Sequence, residues 1–291
     1  MRLENRAPAE GINASDEHPL REFAWLAGGA LAALVATVVA VSLGAQWLAP
    51  KLPYRYEARL VRDLPAQPPP TDARGREALA ELQALADRLA ARMVLPEGMR
   101  VTVGLRDERV ANAYATLGGH AVVFRGLLSR LDSEDALATV MAHEIAHLAH
   151  RHPAAALGRG VAIGIVLSVV SAESGRGAAG AVLGQAGTLA ALSFNRDQER
   201  EADREALRVV AAEYGHVGGA VDLFDAFEAM QRARGDGAAT RVEWLRTHPL
   251  SERRAQAARE WAAARGVPVD GARRPLPPAL AAMRAAGPAR R

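Results

Sequence analysis

His143-Glu144-Ile145-Ala146-His147 is the stretch of this sequence with the clearest capacity for chemistry. Its histidines are four positions apart, so on a helix both rings leave one face, with about 5–6 Å between their Cβ atoms. Two imidazoles so placed can hold one zinc ion at Zn–N distances of about 2.0–2.1 Å. Glu144 lies one residue's rotation away, where it does not ligate but can take a proton from water on the metal. Amide hydrolysis needs such help, because water with a pKa of about 15.7 is a poor nucleophile and zinc brings that value to about 7. Zinc also polarises the carbonyl under attack, and Glu144 can return the proton to the leaving amine. Two histidines on a solvated helix face would show the same spacing, so a third ligand is the deciding feature.

Two carboxylates compete for that place. Glu173 follows His147 by 26 residues, but serine and glycine surround it in a segment too loose to pre-orient a ligand. Glu199 opens Glu199-Arg200-Glu201-Ala202-Asp203, where Glu199 and Asp203 again share one helical face. Glu199 could complete a shell of two histidines and one carboxylate, leaving the fourth position to water. Asp203 could accept the spare N–H of a ligating histidine and fix its tautomer. Glu201 points away and reads as a surface residue. His150 and His152 read as helix-end residues, where a cation is favoured, because Pro153 stands where a longer histidine motif would continue. His120 and His216 read as structural.

These residues need elements to position them. Asp132-Ser133-Glu134-Asp135 looks like a helix start, and the helix should run from Glu134 to Arg151, stopped by Pro153. A second should cover Asp197 to Glu213, and others Ala73 to Met93, Gly219 to Arg234 and Ser251 to Arg265. Three short alternating runs, Arg100 to Leu105, Val110 to Tyr114 and His120 to Phe124, predict a small antiparallel sheet with Gly118-Gly119 at a turn. The apolar stretch 161–192 is broken by Glu173 and Arg176, and reads as buried or plug-like helices near the site, with a membrane-dipping hairpin as the alternative.

Composition narrows the classes. With 49% hydrophobic and 24% charged residues in 291, the chain can bury a core. The absence of cysteine excludes disulfides, a thiol nucleophile and any thiolate zinc site, including that of a cysteine-ligated amide hydrolase. Lys51 is the sole lysine and the net charge is +3, with arginines interleaved among Glu and Asp, so no nucleic-acid partner is expected.

Residues 24–49 carry no charge, with Thr37, Ser42 and Gln46 as polar breaks. The run exceeds the roughly 20 residues needed to cross a bilayer core. Trp25 and Trp47 stand 22 positions apart, about 33 Å along a helix, which puts an indole at each interface. A signal peptide would pair a shorter apolar region with a basic leader, whereas residues 1–23 mix acids and bases. A retained single-pass anchor over 24–49 in a lipid bilayer is therefore predicted, followed by an extended Pro-rich stalk over 50–72, the main domain over 73–270 and a disordered tail over 271–291. Arginines before the anchor and Lys51, Arg55, Arg59 and Arg62 after it leave its orientation open.

From Asn112 to Arg254 the chain resembles the M48 zinc metallopeptidases, in particular the membrane-anchored or periplasmic branch concerned with envelope quality control. Asn112-Ala113-Tyr114-Ala115 before Gly118-Gly119 is similar to that family's strand, His143 to His147 with Arg151-His152 to its active-site helix, and Ser193 to Asp203 to its most specific stretch. Thr116-Leu117, Gly215-His216-Val217 and Ala255 depart from its pattern without touching a proposed ligand. The resemblance implies Glu199 as third ligand. Through Thr247-His248-Pro249 and Arg254 it also implies that His248 approaches the metal, to steady an oxyanion or cap the zinc. The expected protein is a mostly helical α+β, zincin-like peptidase domain behind one transmembrane helix. One zinc would be held by His143, His147 and Glu199, with Glu144 as general base. Its substrates would be unfolded or damaged envelope proteins, and its place a bacterial inner membrane with the catalytic domain in the periplasm. The alternative is a tethered chaperone or scaffold with a structural or latent zinc site.

Overall fold

The computed structural model describes residues 19–62, 69–160, 194–232, 244, 248 and 253–285. In chain order these form α1 (Pro19–Leu48), α2 (Tyr54–Val61), α3 (Ala73–Ala90), β1 (Thr102–Arg106), β2 (Ala113–Thr116), β3 (His120–Phe124), α4 (Arg125–Leu128), α5 (Glu134–Ala149), α6 (Arg196–Tyr214), α7 (Gly218–Arg232), α8 (Arg254–Ala263) and α9 (Pro278–Ala285). Residues 152–160 are also helical. The expected segment 161–192, with Glu173, lies outside the described residues.

Local chemistry sets the starts of the helices that matter. The Ser133 side chain accepts the Ala136 N–H at 3.2 Å and begins α5, as an N-cap should. Asn195 and Gln198 form a capping box at the head of α6, each side chain bonded to the other's backbone N–H. Gly215, at φ 77°, ends α6 in the left-handed conformation that glycine adopts freely.

α5 is buried along its length, from Glu134 to Leu148, as a helix at the centre of a domain must be. It packs against α6, α7, α3 and the sheet. Strand order is β1-β3-β2, with β1 parallel and β2 antiparallel to β3. The sheet is therefore mixed, not antiparallel throughout, because the chain between β1 and β2 carries β2 to the far side of β3. Gly118 and Gly119, both at φ 79°, make the tight return from β2 to β3. Alternation divides the strands cleanly: Val103, Leu105, Ala113, Ala115, Ala121 and Val123 join the main core, while Tyr114, Val122 and Phe124 cluster on the other face.

Outside this domain, Leu20–Lys51 is, among the described residues, the one helix long and apolar enough to cross a membrane, and its side chains are largely exposed. Two expectations are corrected. The stalk is not wholly extended: α2 forms within it, with Pro50 in a short 3-10 turn and Pro53 at the N-cap, positions where a missing N–H costs little. Nor is 271–291 wholly irregular, since α9 packs on α3 and α4. Leu276, Leu280 and Met283 are buried, and the free N–H groups of Ala279 and Leu280 donate to Glu81 at 3.1 and 3.0 Å. A capped apolar stripe of that kind stabilises a helix that composition alone hid.

Candidate metal centre

α5 and α6 cross so that the histidine pair of one meets the carboxylate pair of the other. His143, His147, Glu199 and His248 are all buried, and each offers one donor atom within 4.8 Å of the others. His143 Nε2 lies 3.0 Å from His147 Nε2 and 3.2 Å from His248 Nδ1. Glu199 Oε1 lies 3.0 Å from His248 Nδ1 and 3.6 Å from His147 Nε2, and its Oε2 lies 3.4 Å from His143 Nε2. A tetrahedral shell with 2.0–2.1 Å bonds places its ligand atoms about 3.3–3.4 Å apart, so the donor set fits a metal ion. Glu199 Oε2 is buried with no hydrogen-bond partner among the described residues, an omission that a cation would explain.

The two histidines of α5 are oriented from behind. His143 Nδ1–H donates to Asp203 Oδ1 at 2.9 Å, which turns Nε2 toward the centre, where its lone pair becomes available once the ring gives up its second proton. Asp203 is in turn held by Arg254, through Nε at 2.6 Å and through Nη2. His147 Nδ1–H donates to His152 Nδ1 at 2.8 Å, and His152 Nε2–H to Glu201 Oε2 at 3.3 Å. The Phe194 ring stacks on His147 at 4.0 Å. Glu144 is fully buried: its Oε1 accepts Trp244 Nε1–H at 2.7 Å, and its Oε2 has no hydrogen-bond partner among the described residues.

The electrostatics follow from these contacts. Burial works against charge on His143, but Asp203 and Glu199 outweigh it and hold its pKa up at about 9. Burial, then the charge of His143, pushes His147 well down, so this ring is neutral. Burial would raise Glu199, yet His143 and His248 keep it well below the usual carboxylate range. Asp203 is likewise opposed by burial and lowered by Arg254 and His143. His152 falls to about 4 through burial and the neighbouring His150, which suits an uncharged relay between His147 and Glu201.

The structure thus gathers Glu144, Asp203 and His248 around the donors His143, His147 and Glu199. Two participants escape sequence reasoning. His152 is buried against His147 and is not a helix-end cation, while His150 does occupy the C-cap of α5. Arg151 takes φ 59°, which turns the chain back and swings His152 under the helix; Pro153, which forbids continuation of α5, was the available signal. Glu201 is half exposed as expected, but it accepts from that histidine. Trp244 has no local signature at all.

A helix bearing two histidine donors and a glutamate, crossed by a second helix bearing a carboxylate, defines a metallopeptidase-type domain. The profile of peptidase family M48 matches residues 77–262, and the chain belongs to that family. It is 35% identical over 114 residues to the beta-barrel assembly-enhancing protease of Yersinia pestis, covering 34% of this chain and 22% of that protein. The Escherichia coli K12 protein of the same name is 36% identical over 110 residues, with the same 34% and 22% coverage. The mitochondrial metalloendopeptidase OMA1 of Schizosaccharomyces pombe is 33% identical over 152 residues, covering 52% and 43%. The chain therefore spans less than half the length of each of these relatives.

Proposed function

We propose that this chain is a membrane-anchored zinc endopeptidase that cleaves damaged or misfolded envelope proteins, with α1 in a bacterial inner membrane and the catalytic domain in the periplasm. One observation carries the reading: four buried donors at coordination spacing beside a Glu144 oxygen that has no hydrogen-bond partner among the described residues. His143, His147 and Glu199 would hold one zinc per chain, and Asp203 and His152 would orient the two imidazoles. Bound zinc supplies the positive charge that acidifies water and polarises a carbonyl.

The protein groups do the rest. Trp244 fixes one oxygen of Glu144, so the other has a defined direction in which to accept a proton and later return it to the leaving amine. Among the described residues β2 is an edge strand in the order β1-β3-β2, and Ala111, just before it, accepts the N–H of Trp244 at 3.2 Å. An extended peptide laid along this edge would be gripped by its backbone, which gives little sequence preference and suits unfolded substrates. Relatives named for protease action in β-barrel assembly support an envelope protein as substrate.

His248 favours a second state of the same site. At 3.0 Å from Glu199 and 3.4 Å from Glu144, it would be a fourth donor to a bound ion and would close the place otherwise left to water, a resting arrangement. A chain held permanently so would act as a tethered scaffold. The test is Glu144→Gln in the full chain. One equivalent of zinc should remain while cleavage of casein falls by about 10²–10⁴, the usual share of general acid–base catalysis. Cleavage at the wild-type rate would refute the assignment of Glu144, and a wild type that binds zinc yet cuts no unfolded protein would favour the scaffold.

A further inference from the structure

α2 presents three distinct sectors when its residues are placed at about 100° intervals around the axis. Tyr54, Glu57, Ala58 and Val61 face the domain and are buried or half-buried. Glu57 is the centre of this sector: it accepts the Gly118 N–H at 2.7 Å and Arg151 Nε at 2.9 Å. Arg151, just beyond α5, also donates to the Leu52 carbonyl at 2.9 Å. A buried ion pair therefore clamps α2 to the end of the helix that carries the histidine donors.

The outward surface is split. Tyr56 and Leu60, with Leu52 just ahead of the helix, are each close to half exposed. Beside them run Arg55, Arg59 and Arg62, preceded by Lys51, all exposed. Between Lys51 and Arg62 the sole acidic residue is Glu57, which is turned inward, so the exposed side carries four positive charges and no negative one. This stripe is continuous with α1, because Lys51 Nζ sits 3.1 Å over the ring of Trp47 and only Leu52 and Pro53 separate that lysine from α2. A basic stripe flanked by an apolar edge, starting where an apolar helix ends, matches the interfacial region of an anionic bilayer.

We propose that α2 lies on the anionic phospholipid headgroups of the leaflet from which α1 emerges, with Leu52, Tyr56 and Leu60 sunk among them and Lys51, Arg55, Arg59 and Arg62 on the lipid phosphates. Through Glu57 and Arg151 it holds the metal centre at a fixed height above that surface. The proposal rests on α1 being a membrane anchor.

The chain lacks cysteine, so single substitutions can each carry one nitroxide label. Leu60→Cys, Val35→Cys in α1 and the highly exposed Val94→Cys would be labelled in the full chain and placed in nanodiscs of phosphatidylcholine with or without phosphatidylglycerol. Relaxation by a water-soluble nickel chelate and by oxygen then reads depth. In phosphatidylglycerol discs the label at position 60 should be several-fold less accessible to nickel than that at 94, and this protection should fall in phosphatidylcholine alone or with R55E/R59E/R62E. Equal accessibility at 60 and 94 would overturn the proposal, as would protection at 60 that ignores both lipid charge and the reversed arginines. Nickel access at position 35 would instead remove the anchor itself, a failure distinguishable from that of α2.

Discussion

Replacing Asp203 with asparagine separates two effects that the native carboxylate combines. In the metal-free protein Asp203 and Glu199 overcome burial and hold the His143 pKa at about 9, so at neutral pH the ring is protonated and zinc must displace that proton. His147 is already neutral and yields none. Wild-type affinity should therefore climb tenfold per pH unit from neutrality to about 9 and then level, a gain of about a hundredfold or ~2.7 kcal/mol. The sign for folding is opposite. A histidine whose folded pKa is raised stabilises the metal-free protein fully below its ordinary 6.5, and that contribution is lost as pH rises through about 9.

Asparagine keeps an oxygen for the His143 Nδ1–H but removes the charge, so the climb should end at a lower pH. The plateau itself should fall by about 10–100-fold, because the ring loses its orienting carboxylate. Arg254, only 4% exposed, would lose its partner, a change that costs ~3–5 kcal/mol for buried pairs. Its stacking over Phe224 and Trp244, at 4.5 and 5.0 Å, offsets part of this. Chelator competition across pH, with circular dichroism on the same samples, measures both quantities. A wild-type affinity that is flat between neutrality and pH 9, or a variant that climbs as far as the wild type, would refute the reasoning.

Two further outcomes are expected. His152→Leu removes the acceptor behind His147 and should weaken zinc about tenfold in an equilibrium titration while leaving the helical content intact. Glu57→Gln leaves Arg151 buried without its counter-charge and should lower unfolding stability by ~3 kcal/mol. Adding Arg151→Met should recover much of that loss in denaturant melts, since replacing both partners leaves no stranded charge.

Why some of this was legible and some was not has a physical basis. His143 with His147, and Glu199 with Asp203, declare themselves because one helical period places each pair on a common face, and each helix announces its start through Ser133 or Asn195. The meeting of the two helices, 52 residues apart between His147 and Glu199, came from chemistry: both lack a local partner of the right kind. His152 was misread because its role depends on one left-handed residue, Arg151, and backbone sign is not written in residue type outside glycine. The parallel pairing of β1 with β3 depends on which side of a strand the chain passes, a matter that alternation along the strand does not encode. α9 was hidden by composition: proline, alanine and arginine suggested disorder, while the decisive partner, Glu81, lies 198 positions from Ala279.

The His248 N–H donates to the Trp244 carbonyl, four positions earlier, at 2.9 Å, so the two residues are bonded to each other. One of these side chains tethers Glu144 and the other fills the fourth place among the donors. A movement of this bonded pair would loosen both contacts together. Release of the Glu144 carboxylate from Trp244 and withdrawal of His248 from the donor set would then be coupled, so neither should occur without the other.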